Sequence, residues 1–226
     1  MAKGLTEIEG IRVGHASDFE ALTGCTVILC ELGAVGGLDI RGSAASTRST
    51  EAFYPGHLAE RVHGVVFAGG SAFGLDAVSG VARYLESRGV GFDTGTARVP
   101  IVGGAILFDL AIGSSHVRPS AKMGQAAAEA ASNAPVEEGS VGAGTGATVG
   151  KLFGISQAMK GGVGSAMVQI AGNAAEASGP QGVVKVAALA VVNALGDVID
   201  PATGPLAGAR VAPERAELAN SAEHMS

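Results

Sequence analysis

The stretch His63-Gly64-Val65-Val66-Phe67-Ala68-Gly69-Gly70-Ser71-Ala72-Phe73-Gly74-Leu75-Asp76 decides the fold class. Its first six residues are β-branched, aromatic or small, and they read as a strand. Gly69-Gly70 then punctuates the chain. From Ser71 to Ser87 the apolar residues Leu75, Val78, Ala82 and Leu85 recur at helical spacing. That stripe predicts an amphipathic helix. Ser71 is placed to cap its start, and Gly89 to stop it. A strand turning directly into a packed helix is the unit of a layered α/β or α+β domain.

The same alternation extends outward. Val27 to Leu32 reads as another strand. Val99-Pro100-Ile101-Val102 and Ala105-Ile106-Leu107-Phe108 read as short apolar runs split by Gly103-Gly104. Pro119-Ser120 introduces a small-residue helix over Ala121 to Ser132. Gly139 to Gly164 is the most glycine-rich region. Val183 to Val192 reads as a strongly buried strand. The segment Asn193 to Asp200 then reads as a turn and a short return strand. After Pro201 periodicity fades. The expected organisation is a single domain over residues 1–200 followed by a loose C-terminal arm over 201–226.

Composition narrows the class. The 226 residues are 47% hydrophobic and 16% charged, enough for a sizeable core. The 36 glycines follow no G-X-Y period, so they point to tight turns and close backbone approaches rather than collagen. A net charge of −6 without a basic run speaks against nucleic acid or an anionic membrane as partner. No signal-peptide core and no run of eighteen apolar residues is seen, and a cytoplasmic protein is expected. Cys25 and Cys30 lie five apart on a strand, facing opposite sides. They read as two small buried thiols, not a metal pair or a local disulfide.

Candidate functional residues are few. The run from Gly142 to Lys151 invites a phosphate-loop reading, but Thr145 and Leu152 stand where that pattern requires Gly and Ser or Thr. Lys151 is then either a surface lysine on a loop or a half-buried cation with a lowered pKa. Asn193 ends a ten-residue apolar run. It either closes a strand into a turn or presents its amide to a cleft. Gly69-Gly70-Ser71 is either a capped turn or a cradle of N–H groups for a carboxylate or oxyanion. Ser71 lacks the G-x-S-x-G elbow of a serine nucleophile. The five histidines are scattered, and no metal-ligand spacing appears. No cofactor or metal is expected, and no self-contained catalytic set is visible.

Several segments in order carry a resemblance. They are Ile11-Arg12-Val13-Gly14-His15, Thr23-Gly24-Cys25-Thr26-Val27, Asp39-Ile40-Arg41-Gly42 and Ala68-Gly69-Gly70-Ser71-Ala72-Phe73-Gly74-Leu75-Asp76. Further on stand Val99-Pro100-Ile101-Val102, Ile106-Leu107-Phe108-Asp109, Val141-Gly142-Ala143-Gly144-Thr145-Gly146 through Lys151, Lys160-Gly161-Gly162-Val163-Gly164 and Val191-Val192-Asn193-Ala194-Leu195-Gly196. Together they resemble the L-aminopeptidase/D-esterase family, which includes β-peptidyl aminopeptidases and nylon-oligomer hydrolases. The segment Ser43 to Arg48 departs from the usual glycine- and proline-containing version of its motif.

The resemblance implies a four-layer αββα sandwich of the α/β (α+β) class, completed by a second chain fragment. It implies a precursor that cuts itself before a Ser or Thr, whose hydroxyl then becomes the nucleophile. This chain resembles the larger, α fragment, with the nucleophile beyond it; Ser226 is not expected to fill that role. Lys151 and Asn193 match catalytic positions that stabilise the oxyanion and orient the substrate carbonyl. Phe108 stands where the nylon-hydrolase branch carries a tyrosine and is expected, with Ser71, on the substrate side. The implied partners are the β fragment of the same precursor, a small peptide or amide substrate, and further copies of the processed unit in a homo-oligomer, a tetramer by resemblance. Two other functions compete: acyl transfer, as in ornithine acetyltransferases, and a non-catalytic small-molecule binding domain.

Overall fold

The computed structural model describes residues 4–171 and 183–225; Ser226 lies outside the described residues. Its central sheet is built from β1 (Arg12–Asp18), β2 (Thr23–Ala34), β3 (Thr47–Arg48), β4 (Val62–Ala68) and β7 (Val102–Ile106), in the order β1-β2-β4-β7-β3. β1, β2 and β4 are antiparallel neighbours, β4 and β7 run parallel, and β3 closes the edge antiparallel. Between β4 and β7 lie helix α1 (Asp76–Ser87) and a small ribbon of β5 (Phe92–Asp93) and β6 (Arg98–Val99).

The strand and helix expected around Gly69-Gly70 both form, with one correction at the join. Residues Ser71–Leu75 make a 3-10 turn before α1, and no side chain caps either start. Gly70 and Ser71 are both left-handed, at φ 77° and 56°, away from the extended backbone typical of a side-chain N-cap. The Ser71 N–H instead donates to the Leu107 carbonyl at 3.1 Å. Gly89 does end the helix, left-handed at φ 70°, with its N–H on the Glu86 carbonyl.

A second correction concerns Gly103-Gly104. They do not split two runs; they lie inside β7. A Cβ on Gly103 would sit 2.5 Å from the Phe53 ring, and one on Gly104 2.4 Å from a Val78 methyl. The glycines let an aromatic and a helix press on the two faces of one strand.

Helix α2 (Ala121–Glu129) is shorter than expected, since Ser132 leaves it to pair with Val13. Ser120 caps it by accepting from the Met123 N–H. The two helices meet through small residues: a Cβ on Gly80 would lie 1.7 Å from the Ala121 carbonyl oxygen, and one on Gly124 2.0 Å from that of Ala77. This pair covers one face of the sheet, burying Val78, Val81 and Leu85 against Val27, Leu29 and Val66. Cys25 lies in this core and Cys30 faces away, half-buried, with its thiol on the Val62 carbonyl. Burial pushes their pKa values up to about 12 and about 11, so neither is a ready thiolate.

The other sheet face carries the glycine-rich segment. Thr26 accepts the Ala143 N–H, and Ser17 accepts that of Gly142. A Cβ on Gly24 would stand 2.4 Å from the Gly142 oxygen, so the segment lies flat on β2. It leads into β8 (Thr148–Val149), β9 (Met159–Lys160) and then β10 (Gly162–Ala171), which pairs along ten residues with β11 (Val183–Val192). The strand at Val183–Val192 is therefore present, but it is not buried: Val184 is 55% and Val186 50% exposed. Among the described residues it pairs with β10 alone. The N-terminal turn reaches this ribbon, with the Leu5 N–H on the Ser165 hydroxyl and Lys185 on the Glu7 carbonyl.

Helices, sheet, glycine-rich segment and ribbon thus stack in layers, a mixed α/β sandwich. The chain finishes with β12 (Val198–Asp200), β13 (Gly204–Ala207) and a single turn, α3 (Ser221–His224). No helix among the described residues is long and apolar enough to cross a membrane.

Replacing Gly124 by Ala should force α1 and α2 apart and lower stability by about 1–3 kcal/mol, the usual range for an overpacked core. Urea unfolding checks this; an unchanged midpoint would show that the helices are not held in contact at that glycine.

Candidate active site at Lys151 and Asn193

The layers bring the end of β11 to the turn that follows β8. Gly150 makes that turn possible. It is left-handed at φ 69°, and a Cβ there would lie 1.9 Å from the Ala209 nitrogen. Past it, the Lys151 N–H donates to the Leu195 carbonyl at 2.7 Å, and the Gly150 N–H to that of Gly196 at 2.9 Å. These two bonds join residues 44 and 46 positions apart in sequence.

The Lys151 side chain turns inward. Its ammonium donates to the carbonyls of Thr148 (2.6 Å), Ala194 (2.9 Å) and Asn193 (3.0 Å), and to the Asn193 side-chain oxygen (3.2 Å). An ammonium has three protons, so four acceptors share them and none is spare. Burial lowers the Lys151 pKa from its ordinary 10.5.

Asn193 is oriented by the same network. Its Oδ1 accepts from Lys151 and from the Thr148 N–H (3.0 Å), while its Nδ2 donates to the Phe108 carbonyl at 3.2 Å. Two donors on one side and an acceptor on the other fix which atom is oxygen. One Nδ2 hydrogen remains without a partner among the described residues. The cation on Oδ1 polarises the amide, which strengthens that N–H as a donor.

Against Lys151 lies a cavity of about 180 Å³, walled by Phe108, Asp109, Ala111, Ile112, Thr148, Lys151 and Ile155; Asn193 is not in this wall but bonds to three of its residues. Phe108 is 52% exposed and lines this cavity, while its carbonyl anchors Asn193. Ser71 is not part of that wall. It lies next door through its main-chain bond to Leu107.

Sequence reasoning missed Asp109. This carboxylate is buried, accepting the Gly70 N–H at 2.6 Å and the Thr23 hydroxyl at 2.7 Å. Gly69 and Gly146 make room for it: a Cβ on either would come within 2.7 Å of an Asp109 side-chain atom. Asp109 thus locks the Gly69-Gly70-Ser71 turn to the Phe108 strip. Its charge also bears on Lys160, whose pKa burial lowers and Asp109 partly restores. The only signal was an acid directly after an apolar run. Among the described residues no group of three His, Cys, Asp or Glu is placed to hold a metal.

The lowered Lys151 pKa has a defined sign. Between that value and 10.5 the unfolded chain binds more protons than the folded one, so this group's contribution to stability rises with pH. The unfolding free energy of the wild type minus that of Lys151→Met should therefore climb across this alkaline interval and stay flat below it. Urea unfolding at a series of pH values measures the difference; a flat difference throughout would reject a desolvated ammonium.

The chain matches the model of peptidase family S58 over residues 3–221. It is 42% identical over 210 residues to an uncharacterized aminopeptidase of Mycobacterium tuberculosis (strain ATCC 25618 / H37Rv), covering 88% of this chain and 55% of that protein. It is 34% identical over 146 residues to the 6-aminohexanoate-oligomer endohydrolase of Kocuria sp. (strain KY2), covering 65% of this chain and 39% of the other. The chain therefore spans about half the length of the mycobacterial relative. In fold it is similar to the L-aminopeptidase D-ala-esterase/amidase of Ochrobactrum anthropi, with TM-score 0.64 at 19% identity, covering 84% of this chain and 53% of that one. A Burkholderia sp. beta-aminopeptidase superposes with TM-score 0.61 at 23% identity, covering 88% and 56%. That structure belongs to the same layered fold. With a family match running through the glycine-rich segment, Lys151 and Asn193, the chain belongs to peptidase family S58.

Proposed function

We propose that this chain forms the oxyanion side of an amide hydrolase that matures by self-cleavage before a Ser or Thr lying beyond residue 226. The observation that carries this reading is the Asn193 amide, which has one N–H to spare and is fixed by bonds to Thr148, Lys151 and Phe108, three residues of the cavity wall. An N–H fixed in advance is what a developing tetrahedral oxyanion needs.

In this reading the hydroxyl of the new N-terminal residue attacks the substrate carbonyl, and its own α-amino group takes the proton. The carbonyl oxygen becomes anionic and accepts from Asn193 Nδ2. Lys151, saturated by carbonyls, acts from behind by polarising that amide. The intermediate then collapses, the amine leaves with a proton, and water hydrolyses the acyl ester. The apolar cavity wall, with a phenyl ring at Phe108, suits an aliphatic acyl chain. Linear amide oligomers and N-terminal amino-acid amides are the substrates proposed, in keeping with the names of the relatives.

The partner proposed is the remaining fragment of the same precursor, whose strands would cover the exposed apolar residues of the ribbon. Val168, Ile170, Val184 and Val186 are each at least half exposed there, more than an isolated surface favours. Assembly of processed units into a homo-oligomer would cover more. The cysteines are free thiols, which suits a reducing, cytoplasmic compartment.

Intact-mass spectrometry of the full-length protein tests the reading. Two polypeptides are expected, the second beginning with Ser or Thr; a single uncut chain would overturn it. Asn193→Ala should then lower turnover of an amide substrate by about 10²–10³-fold, as for loss of one oxyanion donor. Lys151→Ala should lower it comparably, and wild-type rates in both would remove their roles.

A further inference from the structure

Asp197 closes the turn that starts at Asn193. One side of this turn is bound to the Lys151 strip: the carbonyls of Asn193 and Ala194 meet the ammonium, and those of Leu195 and Gly196 meet main-chain N–H groups. The other side holds the segment that carries Ala209 and Ser221. Asp197 Oδ1 accepts the Ser221 hydroxyl at 2.7 Å and the Ala209 N–H at 2.9 Å, and Oδ2 accepts the Ser221 N–H at 2.7 Å.

Ser221 is 1% exposed, although the residues on either side of it are exposed. Gly208 packs so tightly that a Cβ there would lie 2.0 Å from Asp197 Oδ1. Burial raises the Asp197 pKa, but the hydrogen bonds from Ser221 and Ala209 outweigh it and hold the group below the ordinary 3.8. The carboxylate is therefore charged at neutral pH.

Beyond Ser221 the chain is seated twice more. The His224 ring meets Phe153 edge-on, with centroids 5.1 Å apart, and Phe153 follows Lys151 by two residues. The Met225 methyl stands over Gly196. Both strips that carry the candidate site thus touch the last described residues.

We infer that Asp197 and Ser221 form a positioning latch for self-cleavage, setting the register of the segment that leads to the scissile bond against Lys151 and Asn193. The inference rests on the self-cleavage reading above. In that step the hydroxyl of the residue after the scissile bond attacks the preceding carbonyl. A C–O bond forms, the C–N bond breaks, and the hydroxyl proton ends on the freed amine. Water then splits the ester into a carboxylate and the regenerated hydroxyl. Attacker and target are neighbours, so the rate depends on presenting that one carbonyl to the oxyanion donor within a fraction of an ångström. The latch fixes the chain upstream of that bond, where slack would otherwise enter.

The test uses the full-length precursor carrying Asp197→Asn or Ser221→Ala, with cleavage followed over time by intact mass. Turnover of an amide substrate is measured per processed molecule. Cleavage should slow about tenfold or more in each variant, by the sensitivity of rate to misplacement, while kcat and KM of the processed enzyme stay within about twofold of wild type. Ser221→Ala deletes one oxygen and keeps the test valid if Asp197→Asn fails to fold. Wild-type cleavage times in Ser221→Ala would overturn the latch. So would an equal loss of turnover in the processed enzyme, which would make the pair a general support of the site. A wild-type precursor that stays whole would instead overturn the self-cleavage reading itself.

Discussion

The ammonium of Lys151 is the point on which the second half of the structure depends. A half-buried cation is costly unless its charge is met by oriented oxygen atoms. Here the carbonyls of Thr148, Asn193 and Ala194 and the amide oxygen of Asn193 converge on it. Four oxygens that would repel one another are thereby gathered around one charge. The turn after β11 takes its shape from this, and the Asn193 amide takes its orientation. Truncating the side chain would leave several carbonyls facing one another with no donor between them.

Glycine makes that arrangement reachable. At Gly150, both the left-handed backbone and the nearby Gly208-Ala209 peptide exclude any side chain. At Gly69 and Gly146 the missing Cβ is replaced by the Asp109 carboxylate. Glycine abundance here is thus not looseness. It allows polar main chain and buried charge to approach closely enough for their hydrogen bonds to offset desolvation. The site is built mostly from main-chain carbonyls and N–H groups, with a few side chains fixing their positions.

Local features were legible in the sequence and non-local ones were not. β4 and α1 declare themselves because alternation and helical spacing reside in consecutive residues. The role of Gly103-Gly104 does not, because its cause is Phe53, some fifty positions earlier. Ser71 fits a cap by composition, yet the left-handed Gly70-Ser71 pair sends its N–H to Leu107 instead. The apolar run of β11 reads as buried, since hydrophobicity is a property of the run and does not record what lies against it. Lys151 and Asn193 each stood out as ambiguous, and spacing could not pair them. The family resemblance implies roles for them, and the fold brings them into contact. Asp109 and Asp197 went unnoticed because their partners are mostly distant main-chain N–H groups, which leave no residue pattern.

The N-terminal turn carries a consequence for how the chain is made. Its bonds from Leu5 to Ser165 and from Lys185 to Glu7 close loops of 160 and 178 residues. Such contacts form late, because the entropy of closing the loop is lost before any neighbouring contact compensates. During synthesis the first residues emerge long before their partners on β10 and β11 exist. The helix-covered sheet, whose strands end by Ile106 and whose second helix ends at Glu129, is complete while the N-terminal turn still waits. Docking of that turn onto the ribbon is thus a natural last step, reporting that the glycine-rich segment between sheet and ribbon has found its place.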